Sequence, residues 1–564
     1  MTAPGTADTV ALMKYARFTS RSVFLALSLL SACAASDASF GSEYPAGAFG
    51  QFLAGRFAMA AADPDAAATA LSKAVALAPN EQDAVVQAFL ANLAAERPDA
   101  LPLARRIPEN QIAQLVLADD DMHAGRWEAA EKRYHSLPRQ GLTQLLQPLL
   151  AAWAQQGGGQ TDAALATLRP FAENPRFRGI FGLHAAMIAD LAGRQTGADR
   201  YYDAINGDGA DANLRLAQTL ASWQARNGQI EEARRSLTAI ADRTPEVRIA
   251  LRDILAHIQD RPVATVQEGI AESYVVLAAA LRAQDQNDLA LLMLQLAFRV
   301  RPDFSTARLM QEEIHTAGKH YGLALKAVES IPPTDPLISI ARLRRAALLA
   351  QLDRTDDAIA ALKSIATDYP DSALPDIQLG DILRVKRRFE DAIAAYSRAI
   401  ARIDIPRKSD WAVFYDRGVA YERAGKWPLG EADLKLALQL SPGQPFVLNY
   451  LGYTWADMGR NLPLAREMLQ IAAAARQNDG AVTDSLGWVL YRQGDVGGAL
   501  RLLERAVELE PEDSAITDHL GDVYNAAGRK LEARYEWKRA LTLNPAPEDV
   551  PKLEEKLKNG PSGP

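Results

Sequence analysis

One cysteine in 564 residues, Cys33, excludes an internal disulfide, so the chain must hold together by packing alone. Its seven histidines are scattered at 123, 135, 184, 257, 315, 320 and 519, and no cluster has metal-ligand spacing. Basic residues do not exceed acidic ones. The 62 Lys and Arg against 70 Asp and Glu give a net charge of −8, a balance that argues against a nucleic-acid surface. No apolar run approaches the roughly 20 residues that span a bilayer. No stretch alternates with the period of two expected of strands. Aromatics are few, at 7 %. What remains is an alanine- and leucine-rich helical pattern in a chain too long for one globular core, which a structure that grows by repetition resolves.

The repetition is explicit. Ala290, Ala324, Ala358 and Ala392 stand 34 residues apart, as do Ala465, Ala499 and Ala533 after a five-residue slip. Residues 480–511 carry Leu486-Gly487, Gly494, Ala499, Ala506 and Pro511, and the next copy carries Leu520-Gly521, Tyr524, Gly528, Ala533, Ala540 and Pro545 at matching offsets. Small residues at offsets 8, 20 and 27 let antiparallel helices approach, and large ones at 7, 11 and 24 fill between them. Glycine at 15 ends the first helix of a pair and proline at 32 ends the second. This period and pattern resemble tetratricopeptide repeats. The fold class expected is all-α, a right-handed superhelical solenoid of about fourteen helix pairs.

Fidelity falls toward the N-terminus, where Ala233, Ala198, Ala164 and Ala130 keep the spacing, Ala100 is weaker and Ala67 heads a good copy. Between Ala233 and Ala290 the step is 57 residues, which calls for an inserted helix. The organisation expected is a signal segment over 1–32, a linker over 33–47, a degenerate array over 48–245, the insertion over 246–270, a regular array over 271–545, and a charged capping helix with a tail over 546–564.

In a solenoid of this kind the first helix of each pair lines the concave side. Inward offsets select Tyr415, Asn449, Tyr453, Asp484, Trp488, Tyr491, Asp518, Asp522 and Asn525 as candidate partner-binding residues, aromatic in the middle and acidic toward the end. Aromatics suit an interface because they add apolar area at low entropy cost. The plain alternative for Trp488 and Tyr491 is packing of the first helices against each other.

Lys14, Arg17 and Arg21 precede an apolar run over 23–30 that ends in Leu30-Ser31-Ala32-Cys33. The layout is that of a secretory signal, and its end resembles the lipobox of bacterial lipoproteins, in which the cysteine carries the lipid. Met13 suits the start of such a signal better than Met1. Cleavage before Cys33 removes three basic residues and one acidic, leaving a net charge of −10, so membrane attachment would rest on acyl chains and not on attraction to anionic lipid. Ala34 looks like the outer-membrane sorting default, which places the chain on the periplasmic face.

Catalytic chemistry is not evident. Glu312, Glu313, His315 and His320 in EEIHTAGKH straddle a helix end and read as a solvated terminus. Gly157-Gly158-Gly159 lacks the strand and the Lys-Ser/Thr of a phosphate loop and falls at an interhelical turn. Lys386-Arg387-Arg388 occupies the same turn of another repeat and reads as a solvated loop or an acidic contact. No nucleophile-base-orienter set is visible, so neither an enzyme, a metal, a cofactor nor a small-molecule substrate is expected.

Residues 449–541 resemble the C-terminal part of proteobacterial tetratricopeptide lipoproteins. Some members act as adaptors that bring cell-wall hydrolases to a periplasmic carboxyl-terminal processing protease. The resemblance implies an envelope scaffold with protein partners, and carries over only Cys33 as a functional residue. An alternative in the same family is a structural component of an outer-membrane assembly or export machine.

Overall fold

The computed structural model describes residues 47–138, 141, 143–207 and 214–560. Residues 1–46, and with them Cys33 and the signal, lie outside the described residues, as does the end of the tail. Two compact units divide inside one helix, unit 1 up to Ala361 and unit 2 from Leu362. Among the described residues there is no strand, and no helix is long and apolar enough to cross a membrane.

Unit 1 contains α1 (Ala48–Ala60), α2 (Pro64–Leu77), α3 (Gln82–Ala94), α4 (Ala100–Ala104), α5 (Gln111–His123), α6 (Trp127–Ser136), α7 (Thr143–Gly157), α8 (Thr161–Ala172) and α9 (Arg178–Leu191). It continues with α10 (Gln195–Gly207), α11 (Leu214–Arg226), α12 (Ile230–Arg243), α13 (Pro245–Ala256), α14 (Val266–Arg282), α15 (Asn287–Val300), α16 (Ser305–Ala317), α17 (Tyr321–Glu329) and α18 (Ile338–Gln351). The division falls in α19 (Thr355–Asp368). Unit 2 has α20 (Leu374–Val385), α21 (Phe389–Ile400), α22 (Trp411–Arg423), α23 (Trp427–Leu440), α24 (Pro445–Asp457), α25 (Leu462–Ala475), α26 (Gly480–Arg492), α27 (Val496–Leu509), α28 (Ser514–Ala526), α29 (Lys530–Thr542) and α30 (Val550–Asn559).

The turn inside each pair is a left-handed residue. Ala62, Glu96, Gly125, Gly159, Gly193, Gly228, Asp285, Lys319, Asp353, Arg387, Gly425, Gly459, Gly494 and Gly528 all have positive φ, which makes fourteen pairs. Glycine occupies this place in Gly494 and Gly528 because a Cβ there is strained. The conformation persists in six repeats where glycine is absent, so packing of the pair, not the residue, dictates the turn. Two insertions account for the five-residue slip. The turn residues Arg387 and Gly425 are 38 apart, the four extra residues lying in a connection closed by a 3₁₀ turn at Lys408–Asp410, and one more residue, Asn461 at φ 48°, follows Gly459. The Ala100 repeat is degenerate for a visible reason: its second helix, α4, has 5 residues.

Glycine at the eighth position is a packing requirement. A Cβ on Gly418, Gly452 or Gly487 would lie 3.0 Å from Leu434, Leu469 or Leu503, and one on Gly521 would lie 2.5 Å from the Trp537 ring. Each is the large residue of the second helix in the same pair, so glycine and bulk form one close contact. Ala499 is fully buried at the same interface. Ala499→Leu is therefore expected to cost about 1–3 kcal/mol by overpacking. Thermal melts check it, and an unchanged midpoint would mean the contact tolerates the added volume.

The insertion is a helix, α13, with Val247, Ile249, Ala250 and Ile254 buried. It packs on α12 and α18, and Arg344 of α18 ties it down by reaching Glu246 at 2.9 Å while also holding Glu312 and Glu313 at 2.8 Å. The stretch 246–270 is not a single inserted element, because α14 already begins at Val266 behind a Thr265–Glu268 capping box.

In unit 1 the first helices α3, α5, α7 and α9 are covered from within the unit. The pair α14–α15 packs against the first helices α3, α5, α7 and α9. Gly269 of α14 lies against Trp153 of α7, so that a Cβ would come within 2.3 Å of the indole, and Trp153 Nε1 donates to His184 Nδ1 of α9 at 2.9 Å. Tyr274 of α14 and Tyr134 of α6 both donate to Asp119 of α5, at 3.0 and 2.9 Å. Arg308 of α16 pairs with Glu96 at 2.6 Å and lies 3.6 Å over the Phe298 ring.

Candidate functional site

In unit 2 the first helices touch across repeats, α20 with α22, α24 with α26 and α26 with α28, which puts them on the crowded inner side. The aromatic candidates gather there. The Tyr415 ring meets that of Tyr450 edge-on at 5.8 Å, and Tyr450 donates to Glu422 at 2.8 Å. Trp488 and Tyr491 stand 5.1 Å apart, Trp488 stacks on His519 at 4.1 Å, and Tyr453 is 6.0 Å from the same imidazole. Trp488 and Tyr491 are each 7 % exposed, so they pack the first helices together and present little free surface. Asn449 and Asn525 are half-buried, and Asn449 Oδ1 is buried without a hydrogen-bond partner among the described residues.

The acidic candidates are already engaged. Asp484 receives His519 Nδ1 at 2.9 and 3.0 Å. Asp518 and Asp522 receive Lys556 Nζ of α30, at 2.7 and 2.8 Å on the two Asp518 oxygens and 2.8 Å on Asp522 Oδ2. Burial alone would lower the His519 imidazole, but Asp484, Asp518 and Asp522 around it hold it up at about 9. His519 is therefore an imidazolium at neutral pH. Farther along the face, Tyr396 donates to Asp381 at 2.7 Å and Arg384 lies 3.3 Å from Asp416. Burial, with Asp381 nearby, pushes Asp416 up to about 7.

His315 and His320 have ring centroids 6.5 Å apart, and burial drives His315 down to about 4. Among the described residues no group of three His, Cys, Asp or Glu is placed to hold a metal ion. Gly159 is the left-handed turn after α7. Arg387, in the basic turn, meets an acidic partner from its own chain, Glu548, at 2.7 Å.

Residues 265–410 match the family described as a tetratricopeptide repeat-like domain, and residues 377–445 and 485–547 match the tetratricopeptide repeat family itself. A TPR repeat-containing protein of Pseudomonas aeruginosa is 29 % identical over 210 residues, 37 % of this chain and 34 % of that protein. The chain carries tetratricopeptide repeats. The match spans about a third of the length of that curated relative. Among solved structures, the APC/C Cut9–Hcn1 hetero-tetramer aligns over 95 % of this chain and 98 % of that one at 13 % identity, with a TM-score of 0.39. Yeast Tom70 aligns over 80 % and 96 % at 13 % identity, with a TM-score of 0.33. The repeats point to a protein-interaction scaffold.

Sequence reasoning missed His519 and Lys556, which organise the acidic end of this repeat face. His519 was visible as the neighbour of Asp518, which stands one 34-residue repeat beyond Asp484. Lys556 carried no such signal, since a lysine in a terminal charged helix ordinarily faces water. The linkage sign for His519 is set by its raised pKa. Its contribution to stability is full below the unfolded value of 6.5 and is lost as pH rises through about 9. Denaturation of the intact chain followed by hydrogen exchange on α28 should show up to about 3 kcal/mol of loss between pH 6.5 and 9.5, and His519→Gln should flatten that slope. An identical slope in the variant would assign the loss to other groups.

Proposed function

We propose that this chain is a non-catalytic scaffold of the bacterial envelope, held at the outer membrane by lipid on Cys33, that binds protein partners on the first-helix face of unit 2. The observation that carries the reading is the convergence there of the half-buried Tyr415, Tyr450 and Tyr453, backed by the covered Trp488 and Tyr491, with the partly exposed Glu422 and Asp518. Half-buried tyrosines with polar edges beside partly exposed charge supply the anchors and the orientation that protein interfaces use. Unit 1 supports the choice of face, because α14–α15 already fills its N-terminal pairs. The resemblance of residues 449–541 to envelope lipoproteins gives the partner its class: a periplasmic protease and the cell-wall hydrolases presented to it.

Photo-crosslinking from Asn525 and Glu422 in intact cells tests the partner. The expected products are a serine protease and peptidoglycan hydrolases, with the hydrolases accumulating when the gene is deleted. Barrel-assembly or export subunits, with hydrolase levels unchanged, would assign the chain to an assembly machine instead. Cys33→Ser tests the anchor, since the acyl chains supply the membrane affinity. The variant should leave the membrane pellet, and one that still pellets after a salt wash would exclude Cys33.

A further inference from the structure

We propose that the C-terminal helix α30 is a tethered occupant of unit 2, and that the end of the first-helix face formed by Asp518 and Asp522, with His519 beside them, docks a lysine-bearing amphipathic helix of a protein partner, which takes the place of α30. This deepens the scaffold reading and rests on it.

The contact made by α30 is small and of a transferable kind. The helix has 10 residues, below the about 12–15 at which an isolated helix becomes even marginally stable in water. It commits one stripe to the unit: Leu553 is 1 % exposed, the Lys556 side chain is 18 % exposed and Leu557 is half-buried, while Lys552, Glu554, Glu555 and Lys558 face solvent. The stripe thus consists of a buried leucine, a lysine three residues on and a second leucine next to it, with Val550 half-buried one turn before. The helix follows α29 through the connection 543–549, which contains Pro545 and Pro547, packs on α29, and has the half-exposed Glu548–Arg387 pair at its base.

Charge decides what can replace it. Three carboxylates, Asp484, Asp518 and Asp522, face two cations, His519 and Lys556. Departure of Lys556 takes from Asp518 and Asp522 the cation bonded to both; His519 nearby is already bonded to Asp484, and Asp522, 6 % exposed, keeps only the neutral Trp537 Nε1–H at 3.0 Å as a side-chain donor among the described residues. Leaving a buried carboxylate unpaired is costly, so the site releases α30 readily only to another cation.

Because the site is occupied in cis, affinity for a helix in trans is reduced by the fraction of time the site is vacant. Three forms of the chain, intact, Lys556→Ala, and lacking residues 546–564, are titrated with a labelled synthetic peptide of residues 546–560. Circular dichroism melts verify that the two altered forms keep their fold. The expected result is binding to both altered forms at least tenfold tighter than to the intact chain. A peptide carrying Lys556→Ala should lose at least tenfold, and one that keeps only Leu553, Lys556 and Leu557 on a neutral helical background should still bind. Equal affinity of all three chains, or indifference of the peptide to its lysine, would overturn the proposal. If the shortened chain does not fold, the Lys556→Ala chain decides alone, since it retains α30 and Leu553. A failed titration beside successful crosslinking in cells leaves the scaffold reading standing without this site, and the reverse result removes the scaffold reading.

Discussion

Trp153→Ala is expected to destabilise unit 1 by about 3–5 kcal/mol, the range for removing a fully buried large aromatic. Trp153 is among the largest side chains with no exposure. It fills the space above Gly269 and donates to His184, whose imidazole is held neutral because burial drives it down to about 3. The substitution therefore opens a cavity and strips a buried ring nitrogen of its donor at the same time. His184 Nε2 already lacks a partner, so no second contact compensates. The loss should be concentrated where α14 meets the N-terminal pairs, and hydrogen exchange in α14 should accelerate more than in α1 or α2. Gly269→Ala supplies the converse test. In the parent chain the added methyl collides with the indole and should cost about 1–3 kcal/mol, whereas in the Trp153→Ala background it enters the vacated space and should cost little. Additive losses in the double variant would mean that Gly269 and Trp153 do not share the contact on which this packing depends.

The parts of the fold legible in sequence are those whose cause is local. Gly487 with Leu503, and Gly521 with Trp537, recur because each helix pair must solve the same close approach at the same offset, and a solved problem repeated every 34 residues leaves a period. The α14–α15 pair filling the N-terminal array leaves none. Its decisive contact joins Tyr274 to Asp119, 155 residues away, and neither residue sits at a position that repeats. The inner face of unit 2 lies between these cases. Helical periodicity placed Asp484, Trp488, Tyr491, Asp518 and Asp522 on one face, but periodicity reports direction and not occupancy. That Trp488 is covered by His519 follows from the contact of α26 with α28, and that Asp518 is covered by Lys556 follows from how α30 closes the last repeat. The sequence marks that helix only as a charged cap.

The carboxylate at the centre of unit 1 makes the second large effect. Asp119 is 1 % exposed, and its bonding partners are the hydroxyls of Tyr134 and Tyr274. Burial pushes its carboxyl up to about 6 despite both donors. A folded pKa above the unfolded 3.8 means the fold prefers the protonated form. The group's favourable contribution is full below the unfolded value and is lost as pH rises through about 6, leaving a standing cost of roughly 3 kcal/mol at neutral pH. Tyr134→Phe or Tyr274→Phe alone should cost about 1–3 kcal/mol, the penalty for depriving a buried acceptor of one donor. Together they leave the carboxylate bare, which should raise its pKa further and make the double loss exceed the sum of the single ones. The direction with pH is fixed by the same reasoning. At pH 8 the double variant must either bury an unpaired anion or take up a proton, and at pH 5 the acid is already neutral. Chemical denaturation at the two values should show the larger loss at pH 8, with a coupling between the tyrosines that shrinks at pH 5. A coupling that is equal at both would mean Asp119 is protonated throughout, and that Tyr134 and Tyr274 hold α6 and α14 to α5 through their rings and not through the charge.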